Sequence, residues 1–141
     1  MDELLQEINA AKELISRTLA ELKNALPVED KTALELAGIS IFLQNAYNGI
    51  ENIFKRILLF KKISVPDSKT SHKDLLDIVV ENGIISFELS ENIDKYRAFR
   101  HFSIHGYGIN LDKKRIGSLA ENIVDVYSSF EKEIEIFLKK L

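Results

Sequence analysis

Leu4, Ile8, Ala11, Ile15, Leu19, Leu22 and Leu26 follow one another at steps of three and four, with charged and polar residues between them. That spacing draws one apolar stripe along a helix. Pro27 marks its expected end, because proline has no N–H with which to continue the ladder. A second helix is expected to open in "VEDKT" (28–32), whose acidic residues suit a helix N-terminus, and to run from Ala33 to about Lys61 with lysines at its close. It is apolar on most faces, which predicts the central and most buried helix. Its stretch "LAGISIFLQNAYNGI" (36–50) carries no charge, yet it is shorter than the roughly 20 apolar residues of a membrane span. Ser40, Gln44, Asn45, Asn48 and Gly49 also interrupt it, so it reads as a buried helix.

The stretch "KKISVPDSKTS" (61–71) has the proline and small polar residues of a connecting loop. A third helix is predicted from near Ser71, carrying Leu75, Ile78 and Val79 and stopping at the glycine of "ENG" (81–83). A fourth is expected to open with Ser90 as N-cap, since "SENIDKY" has acids in its first turn, and to end in "HGYGIN" (105–110). Asp112 then caps a last helix with a long stripe: Ile116, Leu119, Ile123, Val126, Phe130, Ile134, Phe137 and Leu141. "GIISFELS" (83–90) is the one short candidate for a strand. The pattern predicts an all-α chain, an up-and-down bundle of four to five helices forming one domain over 1–141.

Composition narrows the function. A length of 141 residues with 45% hydrophobic content fits one core. A net charge of −3 argues against coating nucleic acid by bulk electrostatics, so any such contact has to be local. The absence of cysteine excludes a disulfide framework, thiolate zinc sites and cysteine nucleophiles. The opening "MDELLQEINAAKEL" has no hydrophobic region of the signal-peptide kind, which makes a cytoplasmic location the expectation.

Against that acidic background, "RHFSIHGY" (100–107) concentrates an arginine, two histidines and a tyrosine. Arg97, His101 and His105 lie four apart and share a helix face. Arg100 and His105 are five apart, about 140° around an undistorted helix, so one helix does not aim both at the same atom. Fraying at Gly106, or a second copy of the helix across a two-fold axis, would bring them together. Three readings stand side by side. The cluster is a solvated helix face; or His101 and His105 bind a metal, with Glu91 or Asp94 as a further ligand but without the glutamate of an H-E-x-x-H arrangement; or it is an anion site with acid/base capacity. Arginine and histidine beside a phosphodiester suffice to cleave RNA without metal, because the 2′-hydroxyl supplies the nucleophile. Tyr96 and Phe99 read as core, Lys95 and Arg97 as solvated, and His72 as a surface residue with no partner in sequence. The basic residues of "KRILLFKK" (55–62) read as ordinary cations near a helix C-terminus.

Arg100, His105 and Tyr107 match the R-x4-H-x-Y pattern, and on it the chain resembles HepT-type toxins, a branch of the HEPN ribonuclease superfamily. His101 fills the polar place after the arginine, and "FLQNAYNGIENIFKRI" (42–57) is similar to the family's buried second helix. "SHKDLLDIV" (71–79) and the long last helix also fall where the family has theirs. The resemblance implies a helical bundle that dimerises so that the arginine and histidine of both subunits line one composite cleft. It further implies a metal-independent endoribonuclease with no cofactor, acting on RNA such as tRNA or mRNA. His105 would then be general base or acid, Arg100 the holder of the scissile phosphate, and His101 a supporting group. Tyr107 would be the site at which a cognate minimal nucleotidyltransferase antitoxin of the MntA type attaches AMP and silences the toxin. A bulky anion there would compete for Arg100, and Gly106 and Gly108 would leave the hydroxyl accessible. A different reading, a non-catalytic HEPN-like module that binds nucleotide or phosphate, uses the same residues.

Overall fold

The computed structural model describes residues 1–26, 31–103 and 112–141. Among these the chain is all-helical: α1 (Asp2–Ala25), α2 (Ala33–Phe60), α3 (Ser71–Glu81), α4 (Phe87–Phe102) and α5 (Lys113–Lys139). The five-helix bundle agrees with the periodicity, and none of its helices is long and apolar enough to cross a membrane. Pro27 and Val28 to Asp30 lie outside the described residues; α1 ends at Ala25, with the Leu26 N–H still bonded to the Leu22 carbonyl.

α2 is the axis of the fold and packs against each of the other helices. Its start is set by a reciprocal capping box, in which Thr32 Oγ1 accepts from the Glu35 N–H at 3.1 Å and Glu35 accepts from the Thr32 N–H at 3.0 Å. Gly49 allows close approach of α1, since a Cβ there would stand 2.4 Å from Ile15 Cγ1. Both α2 and α3 end in the same way. The Ile63 N–H reaches back to the Leu58 carbonyl with Lys62 at φ 58°, and the Ile84 N–H to the Val79 carbonyl with Gly83 at φ 68°. Only Gly83 takes this left-handed position without steric cost.

One boundary differs from expectation. α4 begins at Phe87 with Ser86 as its N-cap, one turn ahead of Ser90. Ser86 Oγ accepts from the Leu89 N–H, while its own N–H and hydroxyl donate to the Glu133 carboxylate of α5 at 2.6 and 3.0 Å. Ser90 is buried inside the first turn and donates to the Phe87 carbonyl. "GIISFELS" forms no strand: Ile84 and Ile85 are buried in the turn after α3, and Phe87 opens the helix. The expected end of this helix in "HGYGIN" falls outside the described residues.

Asp112 caps α5 as predicted, accepting from the Arg115 N–H at 3.0 Å. Leu141, the last position of the predicted stripe, is exposed, and Tyr127 takes the interior place next to the half-buried Val126. Phe54 and Phe130 meet edge to face at 5.4 Å between α2 and α5. The Tyr96 hydroxyl donates to the Leu119 carbonyl at 2.7 Å and ties α4 to α5. Tyr96 and Phe99 are core residues, as read from the sequence. This packing fixes one face of α4 opposite the start of α3.

Candidate functional site: a basic cleft over a buried carboxylate

On α4, Arg97, Arg100 and His101 stand at i, i+3 and i+4 and share a face. Lys69, Thr70, His72 and Lys73, at the entrance to α3, line the opposite side of a cleft of about 490 Å³. Arg97 is held by Asp94, whose hydrogen bond pushes the guanidinium pKa above its ordinary value. Lys73 lies 3.8 and 3.9 Å from Asp77 and Asp94. Arg100 is half-buried and has no ion pair with a carboxylate among the described residues; its charge is felt by the Tyr47 phenol.

Below this cleft lies a network that the sequence analysis did not identify. Glu51 is 5% exposed. Its Oε2 accepts the Tyr47 hydroxyl at 2.6 Å and stands 2.8 Å from His72 Nδ1, while its Oε1 meets Lys55 Nζ at 3.2 Å. Burial pushes the Glu51 carboxyl up, but the hydrogen bonds from Tyr47, His72 and Lys55 outweigh it and hold the group below its ordinary value. Burial, and then the bond to Glu51, drive the Tyr47 phenol far above the ordinary tyrosine range. His72 is therefore not the unpartnered surface residue expected, because packing of α3 on α2 brings it to Glu51, 21 residues away. The available signal was a tyrosine and a glutamate four apart in the helix expected to be most buried, which aligns them on one face.

Other expectations resolve individually. Lys95 is exposed, whereas Arg97 is paired. Three of the four "KRILLFKK" cations are engaged within the chain: Lys55 by Glu51, Arg56 by Glu7 at 2.6 Å, and Lys61 over the Phe137 ring. Of the residues considered for a metal, Asp94 faces Arg97 and Lys73, and no group of three metal-ligating residues occurs among the described ones. Arg115, which the sequence did not single out, lies 5.5 Å from both the Phe99 and Phe102 rings at the end of α4. His105, Gly106, Tyr107 and Gly108 lie outside the described residues.

A protein-family model described as "HepT-like protein" matches residues 38–141, a span that takes in α3, α4, α5, most of α2 and the whole R-x4-H-x-Y motif. No curated protein and no solved structure gives a significant match. With most of its length under that model and a five-helix bundle to carry it, the chain belongs to the HepT-like family of the HEPN superfamily.

Proposed function

We propose that this chain is a metal-independent endoribonuclease, the toxin of a toxin–antitoxin pair, acting in the cytoplasm as a homodimer of single-domain subunits. Family membership supports a toxin-type, nuclease-related role. The observation that carries the rest is Arg100: a half-buried guanidinium, in a cleft rich in cations, with no carboxylate partner among the described residues. Partial withdrawal of a permanent charge from water favours an anionic partner, and with none among the described residues we assign that place to the ligand. A guanidinium fork fits a phosphodiester bidentately.

RNA provides the nucleophile. Attack of the 2′-oxygen forms a bond to phosphorus and breaks the bond to the 5′-oxygen, giving a 2′,3′-cyclic phosphate. His105 moves a proton as general base or acid, Arg100 stabilises the phosphoryl charge, and His101 supports it. Because Arg100 and His105 diverge by about 140° on one helix, the cleft is completed across the dimer axis. Silencing occurs at Tyr107. A cognate MntA-like minimal nucleotidyltransferase bonds the Tyr107 oxygen to the α-phosphorus of ATP, pyrophosphate leaves, and the attached AMP occupies the phosphate position.

Incubation of the unmodified protein with total RNA and tRNA in EDTA tests the reaction. Wild-type protein should cleave and leave 2′,3′-cyclic or 3′-phosphate ends, with Arg100→Ala and His105→Ala slower by about 10²-fold or more. Cleavage that disappears in EDTA, or that survives both substitutions, would refute it. No cleavage by a verified unmodified dimer would leave the non-catalytic nucleotide- or phosphate-binding module as the better account.

A further inference from the structure

The ribonuclease reading leaves His72 without a task, although it lines the same cleft as Arg100 and His101. We infer that His72, oriented by the buried Glu51 carboxylate, is a second proton-transfer residue of this cleft and acts as the base toward the 2′-hydroxyl. The inference rests on the ribonuclease reading above and adds a catalytic residue to it.

The geometry is specific. Glu51 is ionised and can only accept hydrogen bonds, so the His72 nitrogen 2.8 Å from its Oε2 has to carry the hydrogen. In the neutral ring that fixes the tautomer: Nδ1 is the donor to Glu51, and Nε2 is left with its lone pair. The side chain is 42% exposed while its carboxylate is 6% exposed, so one edge of the ring is anchored in the interior and the rest stays open to the cleft. A buried carboxylate behind an imidazole holds its orientation and stabilises the cation that forms when it takes up a proton. Tyr47 donates to the same Oε2 at 2.6 Å, and Lys55 holds Oε1 at 3.2 Å. The charged and titratable groups around His72 are Glu51, Tyr47 and Lys55 from α2, Asp94, Arg97, Arg100 and His101 from α4, and Lys69, Lys73, Asp74 and Asp77 from its own segment. The side chains that line the cleft itself are basic or neutral, which suits a phosphate ligand beside the ring.

In the reaction, the 2′-hydroxyl proton passes to His72 Nε2 as the 2′-oxygen bonds to phosphorus. The 5′-oxygen leaves and takes a proton from His105, the acid of the pair. Exchange with water returns both histidines to their starting states.

His72→Gln is the test, because a half-exposed side chain can be replaced without emptying the core. Against the wild type, kcat should fall by about 10²-fold or more with KM within a few-fold, and the acid limb of the pH–rate profile should vanish, since that limb reports the base losing its proton. A bound uncleavable 2′-deoxy oligonucleotide should retain its affinity. Glu51→Gln, a positioning change, should lower kcat less and shift the His72 ring 15N resonances away from the Nδ1–H pattern expected in the wild type. If His72→Gln cleaves at the wild-type rate with the acid limb intact, or loses only oligonucleotide affinity, His72 is not the base. The same holds if the wild-type 15N spectrum shows the Nε2–H tautomer. A wild type that cleaves no RNA overturns the ribonuclease reading itself, and the role of His72 with it.

Discussion

Glu51→Gln gives the most direct measure of what the buried network contributes to the fold. The substitution keeps the shape of the side chain and removes its charge. The Tyr47 hydroxyl bond to a carboxylate is worth about 1.5–3 kcal/mol, against about 1 kcal/mol for the bond to an amide oxygen, so about 1 kcal/mol is lost there. The His72 bond loses its acceptor or has to invert its tautomer, at about another 1 kcal/mol. Lys55 is 55% exposed and adds about 0–1 kcal/mol after screening. Relief of carboxylate desolvation opposes these losses, but the Glu51 pKa lies below its ordinary value, which means the native hydrogen bonds more than offset burial. The net expectation is a loss of about 1–3 kcal/mol at pH 7, or a urea midpoint lower by about 0.5–1.5 M at a slope near 2 kcal/mol/M.

The pH dependence gives the sign. A carboxyl depressed in the folded state binds its proton more readily in the unfolded chain, so its contribution is fully present above the ordinary value of 4.5 and is lost as pH falls through the folded value. Wild-type and Glu51→Gln stabilities should therefore differ at pH 7 and converge in acid. Urea titrations followed by circular dichroism from pH 7 to pH 3 measure both curves. Equal stability at pH 7, or a gap that stays constant down to pH 3, would refute the reasoning.

Two further expectations concern the start of α4 and the end of the motif. Ser86→Ala should cost about 1–3 kcal/mol, because it removes both the N-cap bond to the Leu89 N–H and a hydroxyl bond to Glu133, whereas Ser90→Ala should cost less than 1 kcal/mol; thermal or urea unfolding ranks the two. Incubation with the cognate nucleotidyltransferase and ATP should add AMP at Tyr107, read by peptide mass spectrometry, and Tyr107→Phe should stay unmodified and remain an active nuclease; an adduct placed elsewhere would refute the assignment.

What the sequence made legible follows the range of the interactions involved. Stripes at steps of three and four located α1 and α5 because burial of a helix face is periodic within one segment. Asp112 was readable as a cap because its partner, the Arg115 N–H, is three residues away. Ser86 and Ser90 carry the same kind of local signal, and the group that selects Ser86 is Glu133, 47 residues on, which no local pattern contains. The site divides along the same line. Arg100 and His101, which the motif singled out, line the cleft from one helix, while the Glu51 to His72 contact spans 21 residues and exists only once α3 has packed on α2. His72 read as surface for that reason.

Arg97 and Arg100 show why partners matter more than residue type here. They lie one turn apart on α4 and line the same cleft. Asp94 pairs with Arg97 from the same helix at i−3, through the Arg97 Nε, so part of that charge is already balanced within the chain. Asp94 and Asp77 draw on Lys73 as well, and Glu51 takes His72 and Lys55. Arg100 is left as the half-buried guanidinium whose charge no carboxylate of the described residues balances by an ion pair. Among the described residues the carboxylates next to the cleft thus pair with Arg97, Lys73 and His72 and leave Arg100, like Lys69, without an ion pair, although the chain carries a net charge of −3. On the proposed function, a phosphodiester entering the cleft would pair with Arg100 without meeting a described carboxylate, whereas at Arg97 it would share the guanidinium with Asp94. That difference favours Arg100 over Arg97 as the phosphate-holding residue of the proposal.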